Sequence, residues 1–334
     1  MNLPLVTIIT PAYNRAHFLP ETIQSVLSQD YDNFEYIILD DGSTDHTQDV
    51  LKKYTDSRIR WSSHPNIGEV PTVNKGFGQA NGDYIVVLNS DDTLLPGYLQ
   101  KSVEFMQENP EVLMGYPRWA YLTADSVLIH EGLSFEYQQK KFIVEQRFIF
   151  GPGMILRRRA IELVPERNPA YRYMHEIDYA FKLCFYSKQA LGRIPYLLAT
   201  WRSHGDNLQK EAQHKLNEEK LQWVVNFFNQ ENLPKSIQRL RRLALSNAYY
   251  NFAFISLMLH NKPLKARYYL LKSFSLVPFY RSHYSDGMGN MKRTYLSIRL
   301  FLPILLFRNI SQFFNRCRAW FNYRVLRPIF GNNE

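Results

Sequence analysis

The chain has 334 residues, 45% of them hydrophobic and 15% aromatic, which suffices for one large domain with an appendage or for two domains. Cys184 and Cys317 are its only cysteines and lie far apart, so a disulfide framework and a CxxC metal site are both excluded, as suits a reducing cytoplasm. The formal charge is +9, but from Arg281 onward nine Lys or Arg face only Asp286 and Glu334, so most of the excess sits in the tail and a nucleic-acid-binding core is not expected.

Residues 1–4 carry no basic region, and 5–10 (LVTIIT) is too short for a signal-peptide core and reads as a strand. Pro11 to Arg15 ends it. A helix follows with Ile23, Val26 and Leu27 at helical spacing. Residues 35–39 (EYIIL) form a second strand, closed by DDGSTD, whose Ser, Thr and Asp signal a helix start near Asp45. A third strand is expected around 59–61. Asn66-Ile67-Gly68 makes a turn, and Pro71 suits the first turn of a helix reaching about Ala80.

Residues 84–88 (YIVVL) are a short, continuous apolar run that stops abruptly in Asn89-Ser90-Asp91-Asp92. Such a run reads as a strand buried on both faces of a mostly parallel sheet. Ligands of open α/β sheets bind beyond the carboxyl ends of strands. Two adjacent carboxylates there repel each other unless a cation intervenes, and hard divalent cations prefer carboxylates plus phosphate oxygens. A metal–diphosphate site is one reading; a helix cap near Pro96-Gly97-Tyr98 is the other. Strand and helix alternate with polar loops after three strands, without GxGxxG or a P-loop sequence.

Residues 6–15 (VTIITPAYNR), 23–45 (containing SVLSQDYDNFEYIILDDGSTD), 66–76 (NIGEVPTVNKG) and 82–92 (GDYIVVLNSDD) resemble, in this order, the family 2 glycosyltransferases, over about residues 3–205. The resemblance implies an α/β nucleotide-sugar-binding sandwich of GT-A type with a mainly parallel central sheet. It implies that Pro11, Tyr13 and Asn14 belong to the donor site, with Pro11 and Tyr13 lining the base pocket. Asp41 would accept from the base ring N–H. Asp91 would lie near the ribose and metal, and Asp92 would be the chief ligand of Mn²⁺ or Mg²⁺. Asp40 is expected to be structural, capping the turn after its strand. One position departs from the family pattern: Val73 stands where an Arg is frequent.

Residues 112–116 read as a strand and 120–131 as a hairpin, and 150–157 (FGPGMILR) resembles the segment flooring the family's acceptor site. Transfer to a hydroxyl needs a base near the anomeric carbon. Residues 173–183 (YMHEIDYAFKL) resemble the family's ED-containing segment, altered to HE, which implies Glu176 as base with Asp178 as the alternative. Both acids equally suit a helix N-terminus without any chemistry. After a strand at 196–201, Arg202-Ser203-His204 resembles a YRxH segment with Trp201 for Tyr; Arg202 would pair with phosphate, and His204 would complete the metal sphere or touch the diphosphate.

A glycosyltransferase domain over 1–208 is therefore expected, with a helical, basic region over 209–334. The helices of that region fall around 216–228, 237–260 and 266–276, and the last two loosely resemble one tetratricopeptide-type hairpin. Residues 295–314 are too short of uninterrupted apolar sequence to span a bilayer. Arginines 299, 308, 316, 318, 324 and 327 alternate with aromatic residues, which favours an anionic membrane surface, with packing on protein as the alternative. The expected activity is metal-dependent, inverting transfer of a sugar from a nucleoside-diphosphate donor, UDP-linked, to a saccharide or lipid-linked saccharide in cell-surface polysaccharide or glycolipid synthesis, by a cytoplasmic protein peripheral to the inner face of the membrane. The rivals are a nucleotidyltransferase, whose Gly-rich, Arg-containing loop is missing after the first strand, and a decayed transferase domain kept as a carbohydrate- or membrane-binding scaffold.

Overall fold

The structure is a computed structural model that describes residues 3–132, 134–146, 150–204, 209–258 and 262–277. The basic segment expected to meet a membrane lies outside the described residues. The chain divides into two compact units, one of Met1–Glu219 with Asn232–Ile237 and one of Lys220–Glu231 with the helices after Gln238.

The first unit alternates strand and helix through its first half: β1 (Val6–Ala12), α1 (Leu19–Leu27), β2 (Phe34–Asp40), α2 (Thr47–Leu51), β3 (Ile59–Ser63), α3 (Glu69–Gln79) and β4 (Tyr84–Val87). These four strands pair in parallel in the order β3-β2-β1-β4. Their side chains alternate between two covered faces, so the runs are apolar throughout. Val6, Ile8, Tyr36, Ile38 and Val86 pack with Ile23 and Val26 of α1 in one core. On the other face Gly76 of α3 comes so close to Ile9 that an added Cβ would lie 2.5 Å from its side chain.

The second half is mixed. It holds β5 (Thr93–Leu94), α4 (Tyr98–Glu108), β6 (Met114–Leu122), β7 (Leu128–Glu131), α5 (Gln139–Glu145), β8 (Met154–Arg157), α6 (Arg158–Leu163), α7 (His175–Leu183) and β9 (Leu191–Arg202). The sheet continues from β4 through β8, β6 and β9 to β5, and β7 adds to β6. β8 runs antiparallel to both β4 and β6, whereas β6 and β9 are parallel. This is a GT-A arrangement, a curled and mostly parallel sheet clothed by helices. Two strands outrun their expected lengths. β6 passes through Pro117 because the register with β9 shifts there, sparing the missing N–H. β9 starts at Leu191, before Gly192 and Pro195, which disguise the strand in the sequence.

α8 (Gln209–Phe228) leaves the first unit, and α9 (Lys235–Gln238) follows. In the second unit α10 (Arg241–Met258) and α11 (Pro263–Leu276) form an antiparallel pair around Tyr250, Ala253, Leu257, Ala266 and Leu270.

Candidate active site

The loops after β1, β2 and β4 meet at one edge of the sheet, and short side chains hold them there. Asn14 adopts a left-handed backbone (φ 53°) and its Oδ1 accepts from the Thr44 and Asp45 N–H groups, at 2.8 and 3.3 Å. Its own N–H donates to Ser43 Oγ. Asn14 thus ties the first loop to the second. Asp40 is occupied by Ser43 N, Gln48 Nε2 and Ser63 Oγ, as a loop brace. Asp41, 3% exposed, accepts from Ile67 N at 2.7 Å and Gly68 N at 2.9 Å, which fixes the start of α3. Gly42 (φ 73°) lies so near that turn that a Cβ would sit 2.7 Å from Asn66 N. Pro11 is buried in β1, and Tyr13 stands 44% exposed at the rim.

The two carboxylates after β4 part company. Asp92 is 1% exposed, and its oxygens take Arg202 N at 3.0 Å and Asn89 Nδ2 at 3.3 Å. Burial and the neighbouring Asp91 push its carboxyl well above the usual range. The expected chief metal ligand is therefore turned inward, bracing the end of β9. Asp91 points the other way, with Oδ2 at 3.0 Å from His204 Nε2 and 3.5 Å from Arg15 Nε. His204 lies against Phe18, and its Nδ1 has no hydrogen-bond partner among the described residues.

Arg202 is not placed to receive a phosphate. Its guanidinium is buried and donates to Asp91 O, Thr123 O, Ala124 O, Ser126 Oγ and Glu21 Oε2, so its donors are committed within the protein. The sequence points to an exposed cation, whereas the fold uses it as an internal clamp.

The start of α7 holds the other candidate groups. The carboxylate of Glu219, on α8 within the same unit, accepts the Arg172, Tyr173 and Met174 N–H groups and so fixes where α7 begins. Glu176 lies in the first turn, 29% exposed, with Oε1 3.3 Å from Arg167 Nη1. Asp178 is 2% exposed and paired with Lys182 Nζ at 2.7 Å. Two positions on, it has turned to the interior, as helical spacing requires. Arg167 is itself locked: Asn74 of α3 exchanges two 2.8 Å hydrogen bonds with its backbone, and the guanidinium lies over Phe77. Arg167 and Glu176 both line a small cavity with Val87, Met154 and Tyr179.

Arg167 Nη1 also donates to His175 Nδ1, which leaves the imidazole proton on Nε2, 3.9 Å from Glu69 Oε1. Burial, then the Arg167 charge, pushes the His175 pKa down to about 3, so the ring is neutral near pH 7. Glu69 opens α3. The cleft walls and the Glu176 charge push its pKa up to about 7, with Asp91 adding to the rise and Arg167 and Arg15 opposing it. Because 46% of its side chain is open, water moderates that rise.

Sequence reasoning missed Arg15, Glu69, Arg167 and Glu219 as parts of this cleft. Arg15 carried a signal, because it closes the PAYNR motif directly after a strand. Glu69 lies inside the quoted 66–76 segment but at a helix start, where an acid needs no site to explain it, and Arg167 and Glu219 lie on a loop and a distant helix with no motif to mark them. No group of three His, Cys, Asp or Glu placed to hold a metal occurs among the described residues. Asp91 and His204 Nε2 do supply an oxygen–nitrogen pair of the kind Mn²⁺ accepts, so the residues fit a cation that takes its other ligands from a diphosphate.

Structural relatives share this architecture. The S. aureus TarS fragment in complex with UDP-GlcNAc matches with a TM-score of 0.61 at 17% identity, over 82% of this chain and 81% of that one. The Pyrobaculum calidifontis mannosyltransferase PcManGT in complex with GDP-Man and Mn²⁺ matches with a TM-score of 0.58 at 13% identity, over 89% and 87%. In sequence, the chain is 42% identical over 108 residues to the Bacillus subtilis "Putative teichuronic acid biosynthesis glycosyltransferase TuaG", covering 31% of this chain and 43% of that protein. An uncharacterized glycosyltransferase of Haemophilus influenzae is 38% identical over 36% of this chain, which spans about half of it (49%). The Escherichia coli "UDP-Glc:alpha-D-GlcNAc-diphosphoundecaprenol beta-1,3-glucosyltransferase WfaP" is 32% identical over 200 residues, 60% of this chain and 77% of that protein. The family model described as Glycosyl transferase family 2 matches residues 7–164, the stretch that carries the strand-end loops and both aspartates of the cleft. With that match and the long alignment to WfaP, the chain belongs to glycosyl transferase family 2.

Proposed function

We propose that this protein transfers a sugar from a nucleoside-diphosphate sugar, UDP-linked, to a hydroxyl of a saccharide or lipid-linked saccharide. The observation that carries the reading is the pair of candidate carboxylates at the ends of two elements of this unit, Asp91 beside His204 and Arg15 and Glu176 beside Arg167, with the charges of both acting on Glu69. Asp91 and His204 would hold Mn²⁺ or Mg²⁺. When bound, such an ion neutralises charge on the departing diphosphate. Arg15, beside Asp91, adds a cation on the same side. Pro11, Tyr13 and Asn14 frame the base side, and Asp41 keeps lone pairs for a base N–H beyond the loop amides it already accepts.

Glu176 is the base. As the acceptor oxygen bonds to the anomeric carbon, its proton passes to a Glu176 oxygen and the carbon–oxygen bond to the diphosphate breaks. Arg167 holds the carboxylate in place from a buried position. A base facing the leaving group across the sugar implies attack from the opposite face, hence inversion. The burial of Asp178 and its pairing with Lys182 support giving the role to Glu176.

The likeness to WfaP, whose name specifies a diphosphoundecaprenol-linked acceptor, supports a lipid-linked acceptor and a place in surface polysaccharide or glycolipid synthesis. Contact with the inner face of an anionic membrane is supported by α11. Its outer side exposes Leu264, Tyr268 and Leu271, and the helix carries Lys265, Arg267 and Lys272 with no acid. No helix of the described residues is long and apolar enough to cross a membrane. The domain division proposed is a transferase domain over 1–208 and a helical region over 209–334.

The test is calorimetric binding of UDP, dTDP, GDP and CMP, with and without Mn²⁺, to the wild type and Asp91→Asn. Metal-dependent UDP binding that Asp91→Asn abolishes is the expected result. A well-folded wild type that binds none of the four sinks the proposal.

A further inference from the structure

We infer that Glu69 is the side chain that reads the transferred sugar, accepting its hydroxyl or amide protons and turning away donors whose sugar bears a carboxylate. The inference rests on the proposed donor site and adds the class of sugar it takes: neutral hexoses and N-acetylhexosamines rather than hexuronates.

The reasoning is positional. In the proposed reaction the anomeric carbon lies between the diphosphate, on the Asp91 side, and the base Glu176. The sugar ring must fill the space between those two carboxylates. Glu69 stands 3.9 Å from His175, the residue before Glu176 in α7, keeps 46% of its side chain open, and feels the charges of both Glu176 and Asp91, so it borders that space and remains reachable. Its backbone is also fixed. Asp41 grips the Ile67 and Gly68 N–H groups immediately before it, and Gly68 takes φ 95° to start α3 there.

The charges around Glu69 do not cancel it. Arg15 is drawn to Asp91 and Arg167 to Glu176. His175, whose Nε2 lies 3.9 Å from Glu69, is neutral. Arg15, with any cation held there, answers Asp91, and Arg167 answers Glu176, which leaves Glu69 as the carboxyl with no Lys or Arg within 4 Å among the described residues. A further carboxylate on the sugar would meet like charge at short range, whereas a hydroxyl would find an acceptor. Sites that hydrogen-bond a substrate hydroxyl discriminate strongly against ligands that leave those groups unpaired, and like-charge juxtaposition deters wrong partners.

The experiment measures affinity on the full chain with Mn²⁺, for UDP, UDP-glucose and UDP-glucuronate and for GDP, GDP-mannose and GDP-mannuronate, with wild type, Glu69→Gln and Glu69→Ala. In the wild type the neutral sugar nucleotide is expected to bind about tenfold or more tighter than its uronate partner, and Glu69→Gln to shrink that ratio to roughly threefold while bare-nucleotide affinity stays within about twofold. An unchanged ratio in both variants overturns the inference and leaves the transferase reading standing. So does an equal loss for bare and sugar-bearing nucleotides, which would mean that Glu69 merely supports the cleft. A wild type that binds no nucleotide at all removes the donor site and this inference together.

Discussion

Arg202→Met separates two accounts of the most connected side chain in the cleft. If Arg202 met phosphate, the substitution would weaken donor binding and spare stability. The structure predicts the reverse. The guanidinium donates to four backbone or side-chain oxygens and to the Glu21 carboxylate, inside a residue only 1% exposed. Methionine fills much of the same volume but donates nothing, so those acceptors lose their partners. Removing one side of a buried, charged, hydrogen-bonded pair costs about 3–5 kcal/mol. Glu21 is 45% exposed and regains water, which puts the expected loss toward the lower end. For a unit of some two hundred residues, where 1 kcal/mol moves the midpoint by about 2–4 °C, a loss of about 3 kcal/mol should lower thermal unfolding by roughly 6–12 °C. The backbone N–H of residue 202 still reaches Asp92, so the variant that remains folded at low temperature should bind UDP within about threefold of wild type. Calorimetric melting and nucleotide titration on the same preparation check both halves. A variant melting within about 2 °C of wild type, yet about tenfold weaker for UDP, would refute the clamp.

Glu176→Gln should cut transfer by about 10²–10⁴-fold with nucleotide affinity retained, read by product formation beside calorimetry, whereas Asp178→Asn should lower stability by about 1–3 kcal/mol through its buried pairing with Lys182 and keep its activity when folded. His175 has a folded pKa near 3, below its unfolded value, so the unfolded chain binds more protons between those values and stability rises with pH there. The contribution is complete above about pH 6.5 and is lost toward pH 3, at up to about 1.4 kcal/mol per unit; urea unfolding at pH 7 and pH 5 should show a drop that His175→Gln reduces. Leu264→Ser with Leu271→Ser, both on the exposed side of α11, should weaken sedimentation with phosphatidylglycerol vesicles and leave the melting temperature nearly unchanged. Equal sedimentation of the double variant would remove α11 from the proposed membrane contact.

The parallel half of the sheet was legible because each of β1, β2 and β4 is a short apolar run ended by polar residues, a pattern fixed by burial on both faces. The choice between Asp91 and Asp92 was not. They are neighbours on one turn, and what separates them is Arg202 N, 110 positions away, which claims Asp92 and leaves Asp91 to the cleft. The same distance hid the fate of Arg202, since its acceptors come from three other segments. Glu176 and Asp178 could be told apart only once α7 was seen to start at His175. Glu69 at a helix start and Arg167 in a loop look like ordinary surface charges, and only the reciprocal bonds with Asn74 bring Arg167 into the cleft.

The Asp92–Arg202 bond also bears on the order in which the molecule assembles. A chain growing from its N-terminus can pair β1 through β4 early, since all four strands lie before residue 88. Until the last residues of β9 arrive, Asp92 lacks the N–H that turns it inward, and Asp91 lacks His204. Donor binding is therefore expected to be a late acquisition, latent in a nascent chain that already has half its sheet. Nested truncations would show this directly. Chains ending near residue 164 should not bind UDP with Mn²⁺, and binding should appear only once the chain passes residue 204. Early binding by the shorter chains would mean that the strand-end loops organise themselves without β9.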